Sequence, residues 1–208
     1  MIEKLLSEHK ELEYLRENIK KTVEAIKTAY NKGGKVMVCG NGGSCADADH
    51  IVGELMKGFL SKRPLTSYEE GLILNQKYDN ADYLTKFLQR GIPAISLNTH
   101  GALISAVIND IGADMMFAQQ VFSIGTECDV LIGISTGGGA ENVINALKVA
   151  RAIGCTTVGM TGNRQGKMNE FCDILLDAPS PETYRIQEYH IAIYHALCAQ
   201  VEKEIFQN

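Results

Sequence analysis

Residues Asp129 to Asn142 read DVLIGISTGGGAEN, and the fold turns on this stretch. An apolar run, Val130 to Ile134, stops at Ser135-Thr136. Three glycines, Gly137, Gly138 and Gly139, lead into AENVINALKVARAIG, whose apolar residues recur at helical spacing. A buried strand, a Gly-rich turn and a helix start in that order make an anion cradle. The helix N-terminus presents unpaired N–H groups and a partial positive charge, and glycines let the backbone approach the ligand. The two hydroxyls add side-chain donors. Lys35 to Leu55, KVMVCGNGGSCADADHIVGEL, repeats the design: a strand from Val36 to Cys39, a loop from Gly40 to Ser44, and a helix beginning near Cys45. Many Gly-rich turns hold nothing. Two in one chain, each after a buried strand, point to a ligand with a phosphate at one end.

Working outward, strands are expected at 35–39, 94–97, 130–134, 156–160 and 174–176. Helices are expected at about 45–60, 101–109, 114–123, 141–153 and 182–204. Strands that alternate with helices and are near-continuously apolar indicate an α/β fold, a doubly wound and mainly parallel five-stranded sheet flanked by helices. Ligands of such folds sit beyond the carboxyl ends of the strands. Residues 2–31 are expected to form one long helix: Leu5, Leu12, Leu15, Ile19, Val23, Ile26 and Tyr30 share a face, and Gly33-Gly34 ends it. That face needs an apolar partner, either the domain itself or, in the preferred reading, a neighbouring subunit. Residues 61–92 are the least patterned and are broken at Lys62-Arg63-Pro64. They read as an excursion or lid over the site, or as a surface insertion without a role.

The 208 residues suit a single domain over 1–208. A net charge of −5 and a pI near 5.6 argue against nucleic acid as a partner. No apolar run is long enough to cross a bilayer, and the charged start, MIEKLLSEHKELEYL, does not resemble a signal peptide. The cysteines at 39, 45, 128, 155, 172 and 198 are scattered and read as reduced thiols of a cytoplasmic protein. Cys45, beside the first loop, is a candidate nucleophile with little local support.

His50 and Glu54 stand four apart on the second helix and share its face. An imidazole and a carboxylate so placed can hold a metal or move protons; a weak surface contact is the plainer reading. The last helix carries Gln187, Glu188, His190 and His195. His195, set between Ile193-Tyr194 and Ala196-Leu197-Cys198, reads by default as a core histidine. Gln187 and His195 are offset by about 80° and roughly 12 Å along a straight helix. Asn109-Asp110 closes a helix and reads locally as a cap or turn. A dinucleotide fold is disfavoured, because Gly40-Asn41-Gly42-Gly43-Ser44 is not GxGxxG and no acidic residue follows at the end of a second strand.

CGNGGSCADADHIVGEL, AVIND, LIGISTGGG and RIQEYHIAIYHALC, in that order and spacing, resemble the phosphosugar-isomerase (SIS) domain family, and within it the phosphoheptose isomerases. The resemblance covers nearly the whole chain; the 61–92 insertion is longer than in the family's short form. It implies a homotetramer with sites between subunits. It also implies interconversion of sedoheptulose 7-phosphate and a heptose 7-phosphate, feeding lipopolysaccharide, capsules or glycosylation. By resemblance, Asn41, Gly42, Gly43 and Ser44 form the first substrate loop, Asn109 and Asp110 a second contact, and Ser135, Thr136 and Gly137 the phosphate loop. Gln187 is a further substrate contact, and Glu54 and His195 are the catalytic pair. In some members zinc is bound at positions matching His50, Glu54, Gln187 and His195, a set that the axial offset of Gln187 makes awkward; no nucleotide cofactor is implied. Here the phosphate loop reads STGGGA where the family typically has STSGNS, so Gly137 and Ala140 replace two hydroxyl residues and Glu141 adds a negative charge. Each lost hydroxyl bond to a charged group costs about 1.5–3 kcal/mol. A different phosphosugar, or a non-catalytic sugar-phosphate sensor or protein-binding tetramer, are the competing readings.

Overall fold

The computed structural model describes residues 1–163 and 166–207. Five strands, β1 (Val36–Gly40), β2 (Ala94–Ser96), β3 (Val130–Ile134), β4 (Thr156–Gly162) and β5 (Ile174–Ala178), form one parallel sheet in the order β2-β1-β3-β4-β5. The expected strands thus all appear, within a residue or two of their ends. The chain passes from β1 to β2 on one side, then crosses to β3 on the other. The order therefore reverses between β1 and β3, where Gly40 pairs with Ile134 at the carboxyl edge. Crevices at such reversals are where doubly wound sheets hold ligands.

Alternate residues of each strand feed two cores. Val36, Val38, Val130, Ile132 and Val158 pack under α1 (Ile2–Glu8), α2 (Arg16–Asn31), α3 (Gly43–Met56) and α9 (Thr183–Phe206). On the opposite face Met37, Cys39 and Leu131 meet Phe117, Val121 of α7 (Ala118–Ile124), and Val143, Leu147 and Ala150 of α8 (Glu141–Ala152). Burial on both faces is why the strands read as unbroken apolar runs.

Three expectations need correction, two of helix extent and one of what covers the N-terminal apolar stripe. The single helix over 2–31 is three pieces: α1, a 3-10 segment Lys10–Leu15, and α2, with the break at His9 (φ −128°, ψ 74°). The tighter 3-10 turn brings Leu12 and Leu15, three apart, onto one side, and both are fully buried. The apolar stripe of these pieces packs in this chain's own core, against α9 among others, so it needs no neighbouring subunit. The helix expected at 114–123 is a 3-10 turn, Ala113–Met115, followed by α7. The 61–92 region carries two short helices, α4 (Ser67–Leu74), started by a Thr66/Glu69 capping box, and α5 (Ala81–Phe87). The remaining helix, α6 (Gly101–Asp110), buries only Val107. Among the described residues no helix is long and apolar enough to cross a membrane.

Candidate active site

Both Gly-rich loops emerge at the β1/β3 reversal and are tied together. Asn41 Nδ2 donates to Asn142 Oδ1 (2.9 Å), and Asn142 Nδ2 returns a bond to Asn41 Oδ1 (3.0 Å). Asn98 holds the end of β1, donating to the Gly40 carbonyl (2.7 Å) and accepting from its N–H (3.3 Å). Gly42 (φ +58°) and Gly138 (φ +63°) occupy left-handed backbone that a side chain would resist. The second loop is laced to β4: Ser135 N–H donates to the Met160 carbonyl and Gly162 N–H to the Thr136 carbonyl. The N-cap residues of α3 and α8 make no side-chain cap bond; the N–H groups of Ser44, Cys45 and Val143 donate to the carbonyls of Asn41, Gly42 and Ala140, which leaves those of Gly43, Glu141 and Asn142 to face an anion. Glu141, which opposes that role, lies 3.8 Å from Lys148. Gln187 lies against this end of α3, its amide filling the space a Cβ on Gly43 would need.

A second group sits lower, between α3 and α9. Glu54 Oε1 lies 3.1 Å from His50 Nε2 and 3.2 Å from His195 Nε2. The Glu54 side chain is 6% exposed, whereas those of His50 and His195 are 51% and 39% exposed. Burial pushes the Glu54 carboxyl above its ordinary range. His195, the Cys198 thiol and His50 pull it back without cancelling the effect. Its second oxygen, Oε2, is buried without a hydrogen-bond partner. The Tyr194 hydroxyl is 2.9 Å from His50 Nδ1 and 3.4 Å from Asp47 Oδ1. From below, buried Arg63 donates to the carbonyls of Glu54 (3.1 Å) and Leu55 (2.6 Å) and pairs with buried Glu202 (2.8 Å). A cleft of about 360 Å³ opens beside His195, with Lys4, Leu5, His9, Phe59 and Ile191 in its walls.

The structure therefore brings together His50, Glu54 and His195, whose ligand atoms lie within 4.8 Å of one another. It also brings Asn41–Ser44 to Ser135–Gly137. Gln187 does not join the histidines; it belongs to the first loop, as its axial offset implied. Asn109 and Asp110 are exposed and hydrogen-bond to each other (2.7 Å); no hydrogen bond or ion pair among the described residues ties them to either group. The default reading of His195 belongs instead to its neighbour His190, fully buried, donating to the Thr161 carbonyl, and pushed by burial down to about 4. Burial and Asp49 raise the Cys45 thiol, which disfavours its thiolate as a nucleophile. Sequence reasoning missed Asn98, Asn142, Asp47, Tyr194 and the Arg63–Glu202 pair. Only Asn142, in the first helical turn after the glycines, carried a local signal.

The SIS domain model matches residues 2–86 and 80–162. The chain is 40% identical over 196 residues to a phosphoheptose isomerase of Aliarcobacter butzleri, covering 94% of this chain and 90% of the other. It is 36% identical over 206 residues to a phosphoheptose isomerase of Aneurinibacillus thermoaerophilus, covering 99% and 89%. The solved phosphoheptose isomerase of Neisseria gonorrhoeae superposes with a TM-score of 0.75 at 31% identity, covering 96% and 94%.

Proposed function

Because the chain belongs to the SIS-domain family, we propose that it is a sugar-phosphate isomerase interconverting sedoheptulose 7-phosphate and D-glycero-D-manno-heptose 7-phosphate. One observation carries the reading: in a chain 36–40% identical to phosphoheptose isomerases, a buried carboxylate is held between two imidazoles. Moving a carbonyl between C1 and C2 requires a proton to leave one carbon and return to the other through an enediol. Glu54 serves as the base. Burial raises its proton affinity toward the working pH, which is what a general base needs. His195, half-exposed at the cleft, delivers or relays the proton to the oxygen or the neighbouring carbon. The phosphate is held by the N–H groups opening α3 and α8, with Ser44, Ser135 and Thr136 adding hydroxyls and Gln187 orienting the sugar.

The donor set also fits zinc. Two imidazoles and a carboxylate, with one carboxylate oxygen about 3 Å from both ring nitrogens and the other buried without a partner, match the ligand types of catalytic zinc sites. His50, Glu54 and His195 would hold the ion, which would supply Lewis-acid polarisation of the substrate carbonyl. Gln187 stands apart from this set.

The complete site is assembled between subunits of a homotetramer. Gly43 and Glu54 are separated along α3 by roughly 16 Å. A fully extended seven-carbon chain reaches only about 10 Å from phosphorus to C1, at the ~1.2 Å per bond of an extended backbone. The cradle of one copy and the Glu54 group of another supply both ends. Exposed Leu60 and Ile191 in the cleft wall support this. The free cysteines among the described residues suit a cytoplasmic enzyme.

The test is turnover of sedoheptulose 7-phosphate in D₂O, followed by NMR, with and without zinc. Formation of heptose 7-phosphate carrying deuterium at C2, abolished in Glu54→Gln, is expected. A folded wild-type tetramer that forms no product overturns the reading.

A further inference from the structure

The Tyr194 hydroxyl is the sole hydrogen-bond contact shown for His50 Nδ1 among the described residues. The ring is 1% exposed and packs edge-on against both His50 and His195, with centroids 5.3 and 5.0 Å apart. Beyond it lies Asp47, 7% exposed, with Oδ1 3.4 Å from the hydroxyl and Oδ2 buried without a partner.

A tyrosine hydroxyl has one proton and accepts as well as donates. When the ring proton of His50 sits on Nε2, 3.1 Å from the Glu54 carboxylate, Nδ1 bears a lone pair, and the Tyr194 proton points to it. Asp47 then receives no proton from Tyr194, which accounts for the longer 3.4 Å contact at Oδ1. When Nε2 instead gives its lone pair to a metal ion, the ring proton moves to Nδ1 and donates to the Tyr194 oxygen. The hydroxyl then turns and donates to Asp47. Both states keep every polar atom of the chain His50–Tyr194 satisfied, and only Asp47 differs between them.

We infer that Tyr194 is a positioning residue, a two-state hydroxyl that sets the tautomer and orientation of His50, with Asp47 as its acceptor in the metal-bound state. A metal-ligating imidazole depends on such a partner at its other nitrogen, and losing one typically weakens metal binding by about 10–100-fold. The inference rests on the reading of His50, Glu54 and His195 as a metal-holding group.

The experiment uses the full chain labelled with ¹⁵N-histidine. Long-range ¹H–¹⁵N spectra report the His50 tautomer with and without zinc, and chelator competition gives the zinc affinity. Wild type should show Nε2–H without zinc and Nδ1–H with it. Tyr194→Phe keeps the ring and its packing; it should bind zinc about 10–100-fold more weakly and mix the two tautomers in the metal-free state. Asp47→Ala should weaken zinc while leaving the metal-free tautomer as in wild type, and it provides the test should Tyr194→Phe fold poorly. Wild-type protein that binds no zinc overturns the metal reading and the switch together. A wild type that binds zinc, beside a Tyr194→Phe variant that binds within twofold of it with an unchanged tautomer, overturns the switch alone.

Discussion

Replacing Arg63 with Met tests how the lower end of the site is held. Arg63 and Glu202 side chains are 0% and 1% exposed, and their contact is 2.8 Å. Glu202 also accepts from the N–H groups of Phe59 (2.8 Å), Leu60 (2.9 Å) and Ser61 (3.0 Å), and the guanidinium sits 4.8 Å from the Phe206 ring centre. Methionine keeps much of the stem's volume but leaves Glu202 charged, buried and without a counter-ion. It also strips donors from the Glu54 and Leu55 carbonyls at the end of α3. Breaking a buried pair from one side costs about 3–5 kcal/mol, because the remaining charge is uncompensated. At ~2–4 °C per kcal/mol for a chain of this size, the melting temperature should fall by about 6–20 °C. Arg63→Met/Glu202→Leu should recover most of that loss, since an apolar pair need not be desolvated as charge. Because Arg63 grips the carbonyl of Glu54 itself, kcat of the folded single variant should fall by up to about a hundredfold with KM little changed. Differential scanning calorimetry, urea unfolding and steady-state turnover measure these effects. A loss below about 1 kcal/mol in Arg63→Met, or a double variant no more stable than the single, refutes the argument. Burial pushes the Glu202 carboxyl up, but the Phe59 and Leu60 N–H groups and Arg63 more than offset it, so it titrates below its ordinary 4.5. Its contribution is therefore present above that pH and lost as pH falls further.

Three further outcomes follow from the same contacts. The acidic limb of kcat/KM should lie above 4.5, because burial raises the Glu54 carboxyl and the base is lost on protonation; a limb at or below 4.5 in a pH–rate profile contradicts the assignment of Glu54 as base. Gly43→Ala places a methyl 2.1 Å from the Gln187 amide nitrogen, so that side chain must swing out; KM should rise several-fold with stability nearly unchanged, and an unaltered KM removes Gln187 from the substrate site. Stability should fall as pH drops from 6.5 toward 4, because the unfolded state protonates at His190 while the folded state resists. At ~1.4 kcal/mol per tenfold the full effect is about 3 kcal/mol, and urea melts should show that slope flattened in His190→Gln.

The parts of the molecule that repeat a local rule were legible in the sequence. Val130–Ile134 and Val36–Cys39 announced buried parallel strands because both faces of each are covered, and the glycines after them marked the two turns. Features created by distant partners were not legible. The break at His9 follows from packing Leu12 and Leu15 into the core, a tertiary demand that overrides a helical pattern. His190 and His195 look alike in the sequence; a rotation of the helix separates a core ring from a site ring. Arg63 read as part of a chain break, since nothing local says that Glu202 waits 139 residues on. Glu54 and His195 were assigned through resemblance; their local contexts favoured plainer roles.

The altered phosphate loop can be weighed against the contacts that surround it. Reading STGGGA where the family resemblance implies STSGNS, the chain gives up hydroxyl donors at Gly137 and Ala140, each bond worth about 1.5–3 kcal/mol to a charged ligand. The cradle is, however, locked before any ligand arrives. The reciprocal Asn41–Asn142 amide pair fixes the two loops to each other, Asn98 fixes the end of β1, and β4 fixes Ser135 and Thr136. A loop already ordered spends less binding energy on ordering, at about 0.5–1.5 kcal/mol per immobilised side chain. Lys148 offsets the charge that Glu141 sets in the first turn of α8. The added rigidity, at about 0.5–1.5 kcal/mol per side chain, offsets part of the ~3–6 kcal/mol that two lost bonds cost. Under the proposed function, phosphate capture therefore falls to the remaining N–H groups at the starts of α3 and α8 together with the hydroxyls of Ser44, Ser135 and Thr136.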